Sequence, residues 1–289
     1  MSGLKELRSR IKSIKTTKKI TKAMQVVSAA KLRRIKPKLT DSMPYINMLR
    51  HIIEDVACGN NLQNLSKEEL KFFDTHVLDK PYLLVLMTSE RGLCSSFNSS
   101  IIKKVKTDIV ELERIGAKVR LIIIGKKGYD ALKGKYSEYI DSYYHVSGEN
   151  FQNSIAKINQ KIIDMVENDE IGSCYLYFNK FKNAMMQTLV KEKLLPISFP
   201  VKITNDSSAY EYEGESLVFK LIHLYIKGEL NFALIHSRAS EEGARMTAMD
   251  SATKNANEII KKLTLKLNRS RQASITEELT EIIAGFESI

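Results

Sequence analysis

The chain has 289 residues, of which 43% are hydrophobic, and a formal net charge of +11. This length can supply one good hydrophobic core and still leave residues for an extended element. No run of about 18 apolar residues occurs, so the sequence predicts no membrane-spanning helix. The cysteines (Cys58, Cys94 and Cys174) form no C-x-x-C pattern and the five histidines no ligand spacing. We therefore expect neither a disulfide framework nor a metal site.

Almost all of the positive charge lies in the first 38 residues. This segment holds thirteen Lys or Arg and one acid, Glu6, whereas the rest of the chain holds 32 basic and 33 acidic residues. Because each ammonium group in a core needs a partner or water, so basic a segment cannot lie in an ordinary core. Its expected neighbour is acidic: nucleic acid, an anionic membrane or an acidic protein surface.

Residues 1–58 are predicted to form one long helix. Apolar residues recur at heptad spacing over residues 4–14 and then, after a break at residues 16–19, at Ile20, Ala23, Val27 and Ala30. Such a narrow apolar seam is typical of a coiled coil. Pro37 and Pro44 each remove an intrahelical hydrogen bond, which predicts a kink in the forties.

In the middle of the chain the spacing of apolar residues changes from a helical to a strand pattern. Residues 59–80 read as a linker with a capping box at residues 66–69, and residues 81–205 read as an α/β domain. Short apolar runs at 82–87, 119–124 and 173–178 alternate with helical patterns at 97–115 and 126–132. This order predicts βαβ units and a mainly parallel, Rossmann-like sheet with both faces covered. Residues 186–195 are predicted to be an edge strand that Pro196 ends.

Residues 206–289 form the last predicted segment, which is helical beyond Gly214. At about 1.5 Å per residue its 70 or more residues would span about 100 Å, more than a compact domain contains. We therefore expect the two terminal helices to pair as a long antiparallel coiled coil beside the central Rossmann-like domain; a helical bundle is the alternative. The predicted seam consists of Ala252, Ala256, Ile259, Leu263, Leu267 and Ser270, followed by Ile275, Leu279, Ile282 and Phe286.

Nothing in the sequence assembles into an active site. The loop at residues 88–98 has one glycine and lacks both G-x-G-x-x-G and the Gly-Lys-Ser/Thr of a phosphate loop. Residues 124–128 superficially resemble a phosphate loop, but their spacing predicts a plain strand-to-helix turn. Cys94 has no recognisable histidine partner for nucleophilic catalysis. We expect a chain without catalytic residues and without a cofactor.

Two regions resemble the gamma subunit of F-type ATP synthases. The first reads LKELRSRI at residues 4–11 and ITKAMQVVSAAKLR at residues 20–33. The second reads RMTAMDSATKNA at residues 245–256 and NRSRQASITEELTEIIAG at residues 268–285. Two features depart from the family pattern. Phe286 replaces a small residue, and Ser95 and Ser96 stand where the family has two glycines, which indicates a loop backbone without positive φ at these positions.

The resemblance implies a rotor shaft that stands inside a hexamer of alpha and beta subunits and contacts epsilon and the ring of c subunits. It also implies a peripheral location at the cytoplasmic face of the bacterial inner membrane, with membrane contact only through partners. By motif match, the residues that would contact beta subunits are Lys18, Lys19, Lys22, Met24, Arg271 and Gln272. The apolar bearing would consist of Ile275, Leu279, Ile282, Ile283 and Phe286.

Two other interpretations of the residues remain. A nucleic-acid-binding protein would lay the basic N-terminal helix along phosphates, although residues 1–38 contain no aromatic side chain for stacking. A nucleotide-binding α/β enzyme would need affinity for nucleotide in the chain alone.

Overall fold

A computed structural model describes residues 2–57, 65–73, 80–146, 151–198 and 217–287. By contacts the chain divides into two compact units: unit 1 comprises Met1–Ala30 with Arg245–Ile289, and unit 2 comprises Lys31–Ala244. The helices described are α1 (Ser2–Ala57), α2 (Lys67–Leu70), α3 (Phe97–Arg114), α4 (Lys126–Leu132), α5 (Phe151–Glu167) and α6 (Leu217–Glu287). The strands described are β1 (Tyr82–Met87), β2 (Val119–Ile124), β3 (Ile140–Tyr144), β4 (Ser173–Phe181) and β5 (Gln187–Leu195).

The two long terminal helices predicted from the sequence are confirmed. Helix α1 runs through both Pro37 and Pro44. Each proline costs a hydrogen bond, but the buried side chains that follow, such as Ile46 and Leu49, favour continuation of the helix by packing. In the described ranges no helix combines the length and the apolar character that crossing a bilayer requires.

Unit 2 is built on a five-stranded sheet in the order β3-β2-β1-β4-β5. The first four strands are parallel and β5 pairs antiparallel with β4. Alternate residues of β1 face different cores: Val85 and Met87 pack with buried residues of α1, α5 and α6, whereas Leu84 and Leu86 pack with those of α3. The predicted mainly parallel sheet, covered on both faces, is therefore confirmed.

The sequence analysis missed one strand of this sheet and one helix that packs against it. Strand β3 has the sequence IDSYY and every one of its residues is only partly buried, so it lacks the apolar run that marked the other parallel strands. Its edge position explains this composition, because an edge strand needs only partial cover. Helix α5 buries Ile155, Ile158 and Ile162 in the same core as α1 and α6.

The turn between β2 and α4 is the strand-to-helix turn that the sequence predicts. Gly125 has φ +94°, and a Cβ there would lie 2.1 Å from the carbonyl oxygen of Thr88, so this position requires glycine. The first amide groups of α4 already have acceptors within the chain. Lys127 N donates to the Ser89 carbonyl at 3.0 Å, and Gly128 N donates to Thr88 Oγ1 at 2.9 Å. Groups that would cradle a phosphate are thus used by the loop that follows β1.

The interpretation of the serine pair after Cys94 is wrong at its first residue. Ser95 has φ +53° and Leu93 has φ +63°, so this loop does use the left-handed region that favours glycine. Hydrogen bonds hold the loop in this conformation, because Ser89 N donates to Asn98 Oδ1 at 2.9 Å and Ser89 Oγ donates to the Arg91 carbonyl at 2.6 Å.

The capping box predicted in the linker is present at α2. Glu69 N donates to Ser66 Oγ at 3.2 Å, and Ser66 N donates to Glu69 Oε2 at 2.9 Å. The other carboxylate oxygen, Oε1, accepts from Phe219 N at 3.1 Å. One glutamate therefore satisfies amide groups at the starts of α2 and α6. Residues 59–64 and 74–79 of the predicted linker lie outside the described residues.

Candidate functional site: the paired helices of unit 1

Two cross-helix hydrogen bonds fix the pairing of α1 with α6 in unit 1. The Oγ1 atoms of Thr21 and Thr253 lie 2.8 Å apart, and Gln25 Nε2 donates to Asp250 Oδ1 at 2.9 Å. A higher residue number on α1 thus pairs with a lower one on α6, so the helices are antiparallel, as predicted. In the two pairs the residue numbers of the partners add up to 274 and 275. Residues of α1 and α6 whose numbers add up to the same value therefore lie opposite each other.

The predicted seam of α1 is correct before residue 16 and wrong after it. Ile20 and Val27 are 54% and 53% exposed, and Ala23 and Ala30 are exposed as well. The covered positions instead continue the first heptad without a break. They are Leu4, Leu7, Ile11, Ile14, Lys18, Thr21, Gln25 and Ser28.

The seam of α6 needs a similar correction at Ile259 and from Ile275 onward, because Ile275, Leu279 and Ile282 are 49–55% exposed. Ile259 is 45% exposed, and its neighbour Ile260 takes the covered place. Of the predicted positions, Ala256 is buried, and Ala252, Leu263, Leu267 and Ser270 are partly covered. The described seam alternates spacings of four and three: Met249, Thr253, Ala256, Ile260, Leu263, Leu267, Ser270 and Ser274.

The heptad of α1 continues through polar residues, and their hydrogen bonds across the helix pair explain why. The seam residues Thr21, Gln25 and Thr253 are polar, but each has a hydrogen-bond partner on the opposite helix, so their burial leaves no unpaired group at these atoms. Small Thr, Ser and Ala side chains also let the helices approach closely. The signal was available in the sequence, since the heptad from Leu4 extrapolates to Ser28 without a phase change.

Large apolar side chains of α1 are turned outward, two of them, Ile20 and Val27, from the predicted seam. Ile20, Val26 and Val27 are each more than half exposed, on a two-helix unit whose seam is already filled. Large apolar side chains grouped on an exposed surface commonly mark a contact with another protein. These residues, together with the basic side chains around them, form the outer face of α1.

The corrected seam predicts opposite results for two chemically identical substitutions. Ile11 is 8% exposed and Ile20 is 54% exposed. We expect Ile11→Ala to lower the free energy of unfolding by about 2 kcal/mol, because it leaves a cavity in the seam. Ile20→Ala should leave the melting temperature unchanged. The melting temperatures of the two purified variants are measured by circular dichroism. An equal loss of stability in both would mean that Ile20 belongs to the seam, as first predicted.

The basic beta-contact candidates lie together on α1. Lys19 and Lys22 are exposed, whereas Lys18 occupies a seam position and is partly covered, like Met24. Lys22 Nζ donates to Gln25 Oε1 at 3.0 Å, which links it to the seam pair of Gln25 with Asp250. A hydrogen bond from Lys254 is the main effect that lowers the pKa of Asp250. This carboxylate therefore stays charged among the lysines.

The C-terminal candidates lie on α6 at the level where α1 begins and beyond it. Because the numbers of opposite residues add up to 274 or 275, Ser2 lies opposite residue 272 or 273 of α6. Arg271 and Gln272 are exposed at this level, and beyond residue 273 no described residue of α1 lies opposite α6. Ile275, Leu279, Ile282 and Ile283 are 49–59% exposed there. The side chain of Phe286 lies outside the described residues.

The structure does not bring the two candidate sets into one site. Thr253, opposite the basic segment of α1, precedes Arg271 by 18 positions in the same helix, which corresponds to about 27 Å along its axis. The candidates thus form two separate surfaces: a mixed basic and apolar one on α1, and an exposed one towards the end of α6 where Arg271 and Gln272 precede apolar residues.

Comparison with known proteins identifies the family. Residues 3–289 match the family model described as ATP synthase. The ATP synthase gamma chains of Rickettsia felis and Rickettsia akari are each 54% identical to this chain, and the alignments cover all of both sequences. The chain belongs to the ATP synthase gamma chain family. These similarities give no support to a nucleic-acid-binding function.

Solved rotor structures share the fold. The central stalk and c-ring structure of the Tetrahymena thermophila mitochondrial ATP synthase contains a chain that is 25% identical, with a TM-score of 0.60, covering 81% of this chain and 99% of that one. A chain of the Euglena gracilis mitochondrial ATP synthase is 17% identical with a TM-score of 0.67, covering 99% and 94%. The second similarity shows the fold alone.

Proposed function

We propose that this chain is the rotor shaft of an F-type ATP synthase. In this role it couples proton-driven rotation of a c ring to conformational change, and so to ATP synthesis or hydrolysis, in a hexamer of alpha and beta subunits. The observation that carries the proposal is the outer surface of unit 1. A two-helix coiled coil with a filled seam still exposes Ile20, Val26 and Val27 on one side and four apolar residues at its end, so a surrounding protein surface fits it.

The chemistry of this surface fits the beta subunits as partners. The exposed cations Lys19 and Lys22 lie on the outer face of α1, with the partly covered Lys18, at a seam position, and Met24 beside them. An acidic protein loop would complement this basic surface. Contacts at a partly solvated surface are individually worth up to about 1 kcal/mol. Such contacts can break and re-form as the shaft turns, and each catalytic site meets a different face of an asymmetric shaft at each angle.

We assign different roles to the two parts of the C-terminal surface. Arg271 and Gln272 would act as a catch, since a guanidinium makes directional, charge-assisted hydrogen bonds. Ile275, Leu279, Ile282, Ile283 and Phe286 would act as a bearing, because apolar contacts are non-directional and resist rotation little. The epsilon subunit and the c ring are the partners proposed for unit 2, and the location is peripheral, at the cytoplasmic face of a bacterial inner membrane.

The chain itself is proposed to be non-catalytic. The first amide groups of α4, the nearest likeness to a phosphate loop, donate to Ser89 and Thr88. In the described ranges no group of three or more His, Cys, Asp or Glu could hold a metal ion. Catalysis would then belong to the partner subunits.

Purification of the tagged chain from its own cells tests the proposal. We expect alpha, beta and epsilon subunits to co-purify and the complex to hydrolyse ATP, whereas the isolated chain should show no turnover. Binding of the isolated chain to DNA at physiological salt, without these partners, would instead support the nucleic-acid interpretation. Turnover by the isolated chain that persists after contaminating ATPases are removed would contradict the non-catalytic role.

A further inference from the structure

One face of α6 within unit 2 carries polar or small residues where the rest of the helix packs through apolar ones. Glu229, His236, Ser240 and Gly243 follow one another at spacings of seven, four and three, so they lie along one stripe of the helix. All four are buried. Each of them is matched, directly or through one other residue, to the hairpin formed by β4 and β5.

The first contact is an ion-pair bridge through α1. Arg50 donates from Nε to Glu229 Oε1 at 2.5 Å and from Nη2 to Glu229 Oε2 at 2.7 Å. The same Nη2 donates to Glu192 Oε1, on β5, at 2.9 Å. One guanidinium therefore joins α1, α6 and the hairpin with bonds whose direction is set by its planar geometry.

The second and third contacts join α6 to the main chain of β4. Phe181 N donates to His236 Nδ1 at 3.2 Å, and Ser240 Oγ donates to the Asn179 carbonyl at 2.8 Å. Burial lowers the pKa of His236 to about 4, so the ring is neutral and Nδ1 can accept. The other ring nitrogen, Nε2, is buried without a hydrogen-bond partner among the residues described. A buried nitrogen without a partner lowers stability, and a phenylalanine here would not have one. The hydrogen bond at Nδ1 is therefore what the histidine contributes.

The fourth contact is steric. A Cβ on Gly243 would lie 3.3 Å from Ala184 Cα and 3.3 Å from Phe181 Cε2, so α6 lies directly against the tip of the hairpin. Glu229 and Gly243 are 14 positions apart, or about 21 Å along the helix. The direct contacts and the Arg50 bridge together thus link the hairpin to α6 over about four helical turns.

These contacts differ from hydrophobic packing in one mechanical respect. Apolar attraction itself depends little on direction, so against rotation or sliding an apolar contact offers only the steric interlocking of its side chains. Hydrogen bonds weaken steeply when their angles change. Directional bonds at several heights of one helix therefore fix both its rotational angle and its axial position against the strands.

From this arrangement we infer that the β4–β5 hairpin is the lock that transmits torque between the sheet of unit 2 and helix α6, with His236 and Ser240 as positioning residues. The inference rests on the proposed function, since a shaft loaded at its α/β domain must hold its long helix at a fixed angle to the sheet. It predicts that weakening these contacts lowers coupling only when the shaft turns against a proton gradient. Without a gradient the shaft turns nearly freely, and against a gradient the weakened lock slips.

The test compares loaded and unloaded turnover of the assembled complex in vesicles. The variant His236→Phe with Ser240→Ala removes both bonds to β4 and keeps a ring against Phe232, whose centroid lies 4.4 Å from that of His236. ATP hydrolysis is measured with an uncoupler, and protons pumped per ATP are measured without one. We expect uncoupled hydrolysis to change less than about two-fold and pumping per ATP to fall about three-fold or more, because hydrogen bonds but little packing are lost.

A matched control removes apolar packing from the same helix. Ile222 and Ile226 are fully buried in the core that α6 shares with the sheet, so Ile222→Val with Ile226→Val lowers stability without touching a directional bond. This control should melt at a lower temperature but pump normally per ATP. An unchanged ratio in the first variant, or an equal fall in the control, would overturn the lock.

Two single variants guard against failed assembly. If the double variant does not assemble, Ser240→Ala alone should still lower pumping per ATP, and Ser240→Thr, which keeps the hydroxyl, should restore it. Equal pumping by Ser240→Ala and the wild type would overturn the inference. A wild-type complex that does not pump at all would instead contradict the proposed rotor function, so the two failures are distinguishable.

Discussion

Replacing Arg50 by Met is expected to lower the free energy of unfolding by about 3 kcal/mol. The carboxylate of Glu229 is only 3% exposed, and it would lose the cation that compensates its burial. The hydrogen bond with Glu229 raises the pKa of Arg50, whereas burial raises the pKa of Glu229 despite the opposing effect of Arg50. The arginine is thus the charged partner that holds this pair, and its loss leaves a buried acid unpaired.

Two further variants separate this loss from a general effect of removing charge. Arg10→Met removes an exposed ion pair with Glu6, in which both side chains are more than 60% exposed, and should leave the melting temperature unchanged. The double variant Arg50→Met with Glu229→Met removes both charges and should recover most of the lost stability. Thermal unfolding followed by circular dichroism measures all three. A double variant no more stable than Arg50→Met would mean that the arginine acts through its packing on Phe232, 5.4 Å from the guanidinium carbon.

Replacing Arg271 and Gln272 by Leu is expected to lower steady-state ATP hydrolysis of the assembled complex by about ten-fold, the loss of one charge-assisted interaction. Deleting residues 285–289 should lower it by less than about two-fold, because apolar contacts in a bearing contribute stability that does not depend on the rotation angle. Arg271 and Gln272 lie opposite the first residues of α1, whereas the apolar residues lie on the part of α6 beyond it. This difference in position is why we assign the two groups different roles.

Both variants are compared as complexes whose composition and size are verified, so that loss of assembly is not mistaken for loss of turnover. The truncated complex should dissociate at a lower temperature than the wild type, which is the effect expected of a bearing. Equal loss of turnover in the two variants, or a larger loss on truncation, would reverse the assignment of catch and bearing.

The sequence by itself determined the architecture. Heptads at both ends of the chain require long helices that bury only a narrow stripe, and apolar runs of strand length between them require a covered parallel sheet. Residues 4–33 and 245–285 resemble the gamma family closely enough to predict the family, which comparison over residues 3–289 established. These features are local, because each depends on the period or order of neighbouring residues.

Tertiary structure decided the phase of the seam. Following hydrophobicity assigned Ile20, Val27 and Ile259 to it, yet all three are about half exposed or more. Thr21 and Gln25 take the inner positions because Thr253 and Asp250 supply their hydrogen bonds from the other helix. A partner more than 200 residues away in the chain leaves no mark on the local period, so hydrophobicity alone selected the wrong face.

The contacts of the β4–β5 hairpin were decided by tertiary structure in the same way. In the sequence, Glu229, His236, Ser240 and Gly243 are unremarkable polar or small residues within a long helix, and Arg50 is one cation among many. Their roles depend on the strand atoms that meet them, such as Phe181 N and the Asn179 carbonyl. Main-chain donors and acceptors are identical at every residue, so only the packed fold determines which of them a buried side chain will bind.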